Sequence, residues 1–236
     1  MMNKGFTLLE SLISLSLFGL ILIFSYEFYF SARKHFIYLK EQQESNMSVR
    51  AAGERMKDDI QQAGKGLRKA IALDLIEAVS ASEGSLYLQS VESIHNPLSS
   101  LWQGQTRIEL SNTSSFSRNR KVCFIGRNRG ETGRIKSVLE EAIILLEPLS
   151  FSYPASEVSL LLIREINIYI DRTKNLIRRK INFSPAQPLL ENIQAFSATF
   201  QRESNLIVIQ IETDEKKKKI HEIHIFPKNN ALASAN

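Results

Sequence analysis

The chain has 236 residues, 43% of them hydrophobic and 23% charged, and a formal net charge of +5. That balance excludes a disordered chain, and the length suits one sizeable core plus an extended element without demanding two domains. The lone cysteine, Cys123, excludes an intramolecular disulfide, and the positive charge is too dispersed to mark a polyanion-binding stripe.

Residues 6–24 open the chain as FTLLESLISLSLFGLILIF, with thirteen of nineteen positions large and apolar. A bilayer core of about 30 Å takes roughly 20 such residues in a helix, so this is a transmembrane candidate. A secretory signal peptide fits poorly. The basic segment is only Met1 to Lys4, and the best small-residue cleavage site, Phe30-Ser31-Ala32, is a weak one. A plain membrane anchor leaves Glu10 unexplained, because an acid in a membrane helix costs about 2.5–3.5 kcal/mol near the centre and less toward the interface.

The contiguous run Lys4-Gly5-Phe6-Thr7-Leu8-Leu9-Glu10 resembles the cleavage and methylation motif of type IV prepilins. The resemblance implies cleavage between Gly5 and Phe6 by a prepilin peptidase and N-methylation of the new terminal Phe6. It also places Glu10 at the fifth mature position, where the family has its glutamate. In a dry filament core the amine of Phe6 and the carboxylate of Glu10 are each intolerable alone, so pairing them between neighbours sets subunit register. Counted alone, lysine and arginine favour the opposite orientation, with Lys4 before the span and Arg33, Lys34 and Lys40 after it. The resemblance implies N-terminus in and head out.

From Leu20 to Ala52 no proline or glycine interrupts the chain. Val49, Ala52, Met56, Ile60 and Ala63 then recur at helical spacing, and Gly64 and Gly66 supply a stop. One helix from Phe6 to about Gly64 is expected, roughly 88 Å long at 1.5 Å per residue, with Gly19 a candidate kink and Gly53 a weak point. The segment Met56-Lys57-Asp58-Asp59-Ile60-Gln61-Gln62-Ala63-Gly64 is similar to the helix end of PilW-like minor pilins and of the J-type minor pseudopilins of type II secretion. Asp59, Ile60, Ala63 and Gly64 carry that similarity, and Gln61 stands where the pattern has arginine.

Beyond Leu67 the sequence reads as strands at 85–91, 106–110, 121–126, 143–146, 158–170, 176–183, 193–200, 206–211 and 220–226. Ile166, Ile168 and Ile170 alternate with Asn167 and Tyr169, and the polar turn 172–175 makes 164–183 a hairpin. Leu206 to Ile209 is apolar throughout and reads as a central strand. The stretch from Asn175 through Arg179, with Leu189, Leu190, Ile193, Phe196 and Phe200, again resembles the C-terminal part of the same minor pilins.

Chemistry-bearing patterns are sparse. Cys123, between Val122 and Phe124, reads as a buried strand residue. His35 and His95 are isolated, and His221 and His224 fall on opposite faces of a strand. The loop 126–134 holds three arginines among three glycines, an anion-cradle composition without a strand–helix phosphate context, and reads as an exposed hairpin loop. The acidic pairs 58–59, 140–141 and 214–215 read as surface. Residues 216–219, four lysines, read as a solvated turn; nucleic acid is a weakly supported partner there, since phosphate attraction carries no specificity.

The expected organisation is α+β and pilin-like, a long N-terminal helix packed on a mostly antiparallel β head. Its parts are a leader at 1–5, a transmembrane half-helix at 6–30, an amphipathic half at 31–66 and a head at 67–236. No catalytic residue, cofactor or metal is expected. The resemblance implies a structural minor subunit, single-pass in the inner membrane with an extracytoplasmic head, which then joins a type IV pilus or secretion pseudopilus. Its implied partners are prepilin peptidase, other minor pilins or pseudopilins, a major pilin, the inner-membrane assembly platform and membrane lipid. The alternative is a membrane-anchored binding module that never polymerises.

Overall fold

The structure, a computed structural model, describes residues 8–213 and 219–230. The chain divides into two compact units on either side of the Arg50–Ala51 bond. The first consists of most of helix α1 (Leu8–Gln62). Its apolar side chains from Leu8 to Phe30 are exposed on every side of the helix. A helix apolar all round needs a non-aqueous surround. Ser16 returns its hydroxyl to the Leu12 carbonyl at 2.8 Å, so this polar group is satisfied within the apolar run. Gly19 neither breaks the helix nor meets any neighbour that a side chain would touch.

In the second unit the last turns of α1 bury a stripe of Ala52, Met56 and Ile60, continued by Ala63. Gly53 belongs to it: an added Cβ would stand 2.9 Å from Cδ1 of Ile223, so its small size permits close approach to the sheet. Gly64, at φ +81°, ends the run, and an added Cβ would lie 2.8 Å from the Asn230 backbone. Its N–H donates to the Gln89 carbonyl at 2.9 Å, while the Asn229 amide donates to the Gln61 carbonyl at 2.6 Å. The helix end is thus satisfied by the head itself. A short helix, α2 (Arg68–Ala72), follows.

Among the described residues, the unit also holds twelve strands: β1 (Val79–Ser82), β2 (Ser85–His95), β3 (Arg107–Glu109), β4 (Lys121–Ile125), β5 (Gly130–Val138), β6 (Ala142–Leu145), β7 (Ser159–Asp171), β8 (Leu176–Ile181), β9 (Gln187–Glu191), β10 (Ile193–Gln201), β11 (Leu206–Thr213) and β12 (Lys219–Ile225). All pairings are antiparallel among the described residues. Nine strands form one sheet in the order β1-β2-β7-β4-β5-β6-β3, with β8 and β9 branching from β7; β10, β11 and β12 form a second. Strand β7 organises the larger sheet. Along one edge it pairs with β2, and along the other with β4 by its first half and β8 by its second. A core of Leu101, Phe116, Phe124, Tyr153 and Leu162 with their neighbours fills the space beneath the β4 end.

The fold is α+β, and the nine expected strands are all present, with β11 central in its sheet and β7–β8 forming the hairpin. Three strands went unforeseen. β1 is short and made of small residues. β9 contains Pro188, which the ladder accepts because β9 is an edge strand, bonded to β8 alone among the described residues. β5 was read as loop: Gly130–Arg134 extends against Lys121–Ile125, so only Arg127 to Arg129 turn, and pairing overrides a composition poor in strand formers.

Cys123 is fully buried in β4, and burial pushes its thiol up to about 12. A thiol reagent at pH 8 should leave Cys123 unmodified in the folded chain and react only after denaturation; rapid native labelling, followed by intact mass, would refute the burial.

Candidate functional site

Glu10 lies in the first turn of α1 on its exposed surface. Gly5 and Phe6 lie outside the described residues, as do 214–218, which include the third acidic pair and three of the four lysines. Lys219 begins β12. Among the described residues α1 is the one helix long and apolar enough to cross a membrane by length and composition.

Residues 1–26 match the Prokaryotic N-terminal methylation motif. The match supports processing of the type IV pilin or pseudopilin kind and, with the exposed apolar helix, is consistent with a membrane-anchored pilin-like protein. No curated protein matches the chain. Three solved structures share local likeness. The Gp54 tailspike of Acinetobacter baumannii bacteriophage AP22, in complex with A. baumannii capsular saccharide, is 14% identical with TM-score 0.28, over 36% of this chain and 15% of that one. The Pseudomonas phage phi297 tailspike gp61 is 17% identical with TM-score 0.26, over 32% and 14%. The Pseudomonas phage LKA1 tailspike gp49 is 14% identical with TM-score 0.27, over 35% and 14%. The chain spans about one seventh of each, and these likenesses carry no argument about fold or function.

The helix-end segment and the strand segment singled out in the sequence meet. Asp59, from the end of α1, accepts two hydrogen bonds from Arg179 on β8, at 2.5 Å from Nε and 2.7 Å from Nη2. Both side chains are about 95% buried. The hydrogen bonds it donates to Asp59 are the main reason the Arg179 guanidinium holds its proton above its usual range. This corrects the reading of 58–59 as a surface pair: Asp58 is exposed, but Asp59 falls on the buried stripe with Met56 and Ile60. That signal was available, since an acid three and four residues from apolar stripe positions must find a cation. Beside it, Arg164 Nη1 reaches Oε1 of Gln62 at 3.4 Å. Leu190, Ile193 and Phe196 are buried anchors, as the apolar pattern required.

The arginines of 126–134 do not converge. Arg129 donates to the Ser152 carbonyl at 2.6 Å and lies over the rings of Phe151 and Tyr153. Arg134 donates to the Asn119 carbonyl and to Glu165. Within the segment it is Glu131 that gathers donors: the N–H groups of Ser150 at 2.7 Å and Phe151 at 3.2 Å, and the Tyr153 hydroxyl at 3.0 Å. A carboxylate already fills the place an anion would take. Burial, with Glu131 beside it, pushes the Tyr153 hydroxyl up.

A second polar hub went unnoticed in the sequence. Glu165, buried on β7, accepts from the Tyr87 hydroxyl as well as from Arg134. Burial, then this bond, pushes Tyr87 up, and burial pushes neighbouring Lys121 down. These groups tie strands together. His221 is half-buried and His224 exposed on β12. No group of three or more metal-ligating side chains is assembled among the described residues.

Two predictions follow from these pairs. Asp59→Ala or Arg179→Ala strands a buried charge and should each cost about 3–5 kcal/mol in chemical denaturation, whereas Asp59→Leu with Arg179→Met should recover most of that. Single variants as stable as wild type would refute the clamp. In the β7–β8 turn, hydrogen bonds from Thr173 and then Arg178 lower Asp171 from 3.8 to about 2. A carboxylate lowered in the folded state stabilises above its unfolded value and loses that contribution as pH falls through the folded one. The melting-midpoint gap between wild type and Asp171→Asn should therefore be constant above about pH 4 and close toward about pH 2; a gap independent of pH would refute it.

Proposed function

We propose that the chain is a minor subunit of a type IV pilus or of a type II secretion pseudopilus. The observation that carries this is the N-terminal methylation motif at 1–26, running directly into a helix apolar on every side. A prepilin peptidase cleaves after Gly5 and methylates Phe6. The chain stays in the inner membrane as a single span with its head outside the cytoplasm, until the assembly platform lifts it into a filament with a major pilin and other minor subunits. Glu10 then meets the Phe6 amine of a neighbour, and the cost of leaving either charge alone in a dry core selects one stagger. The Asp59–Arg179 clamp joins the helix-end and strand segments that resemble minor pilins, which supports a low-copy subunit.

Intact mass and N-terminal sequencing of the protein from native membranes test the proposal. With the peptidase present, the mature chain should begin at N-methylated Phe6; without it, Met1 should remain. A chain that keeps Met1 in both strains overturns the reading. Glu10→Ala should still be cleaved but should fall to background in sheared filaments, and undiminished incorporation would remove the register role.

A further inference from the structure

The end of the apolar run carries a second pattern, which the processing motif does not use. Tyr26, Tyr29, Phe30, Arg33, Lys34, Ile37 and Lys40 follow one another along α1. At about 100° per residue they share one side of the helix, within an arc of about 140°. Phe28, Ser31, His35, Leu39 and Gln42 take the opposite side, and Glu41 and Glu44 fall within the arc of the stripe beyond Lys34. The stripe is open: Tyr26 is 64% exposed, Tyr29 60% and Phe30 46%. The rings are ordered against each other, Tyr26 to Phe30 at 4.5 Å and Tyr29 to Phe30 at 6.0 Å between centroids. Lys40 pairs loosely with Glu44 at 3.8 Å, while Arg33 and Lys34 are exposed and have no ion-pair partner among the described residues.

We infer that this aromatic–basic stripe is a docking surface for the phosphate headgroups of anionic phospholipid, in the leaflet where the apolar run ends. The assignment rests on the membrane-anchored reading above and on two features. The first is continuity: the helix is apolar all round up to Phe24, so the rings two to six residues later stand at headgroup depth, where tyrosine keeps its face in hydrocarbon and its hydroxyl in water. The second is charge. Arg33 and Lys34 lie one turn farther on, about 6 Å along the axis from Tyr29 and Phe30, at the level of the phosphates. An arginine fork grips a phosphate through two parallel hydrogen bonds, and both side chains can lay their stems along apolar surface while the charge reaches out. Because Arg33, Lys34 and Lys40 lie on one side only, the phosphate is held on that side.

The test uses the full chain, purified in detergent and examined by native mass spectrometry with phosphatidylglycerol or phosphatidylcholine. Wild type should retain phosphatidylglycerol over phosphatidylcholine. Each cation near an anionic surface is worth about fivefold, so Arg33→Gln with Lys34→Gln should cut that preference about 30-fold. Arg33→Lys with Lys34→Arg should preserve it. Arg172→Gln with Lys174→Gln, which removes equal charge from an exposed turn of the head, should leave it unchanged. An unaltered preference in the first variant, a loss in the head variant, or displacement of the lipid by soluble glycerol phosphate at equal concentration would each overturn the inference. Flotation separates the two readings. A chain that fails to float with phosphatidylcholine vesicles refutes the membrane anchor itself. One that floats but shows no headgroup preference refutes only the stripe.

Discussion

The bidentate pair of Asp59 and Arg179 is the interaction around which the second unit is arranged. A helix end can lie on a sheet at many rotations if only aliphatic contacts hold it, since burial is non-directional. Two buried hydrogen-bonded charges allow one. Removing both from water is expensive, and their geometry rather than their net energy explains their use. The pair fixes which face of α1 meets β8. The stripe of Ala52, Met56 and Ile60 then falls into place, with Gly53 against Ile223 and Gly64 against Asn230.

The same logic recurs across the strands. Glu165 and Glu131 are acids that collect donors from neighbouring segments and so hold register where hydrophobic packing alone would leave it loose. Glu165 gathers Arg134 and Tyr87, and Glu131 gathers Tyr153. The head therefore uses these polar groups to hold its own architecture.

What could be read in the sequence follows from what is local. An all-round apolar helix, an acid at Glu10, a glycine stop at Gly64 and the alternation through Ile166, Ile168 and Ile170 are one-dimensional patterns, and the structure has them where the residues place them. The unforeseen features depend on a distant partner. Gly130 to Arg134 becomes strand only because Lys121 to Ile125 lies beside it, and Pro188 is tolerated because β9 pairs with β8 alone among the described residues. Asp59 was misread because its neighbour Asp58 is a true surface acid, although its place on the apolar stripe was visible. Of the candidate site, Glu10 is described on α1, while Gly5 and Phe6 are legible from the motif alone.

Strand β7 has a consequence for the order of events during synthesis. Its register with β2 joins residues 65 to 84 positions apart, from His95 with Leu160 to Ser85 with Tyr169. Loop closure over such separations must precede any reward from pairing, which makes this topology slow to form. A growing chain therefore exposes β2 with one edge unsatisfied until β7 emerges, and β4 waits for the same strand. The larger sheet closes late and nearly all at once, so truncation anywhere before Asp171 leaves a molecule with open edges rather than a smaller version of the same fold.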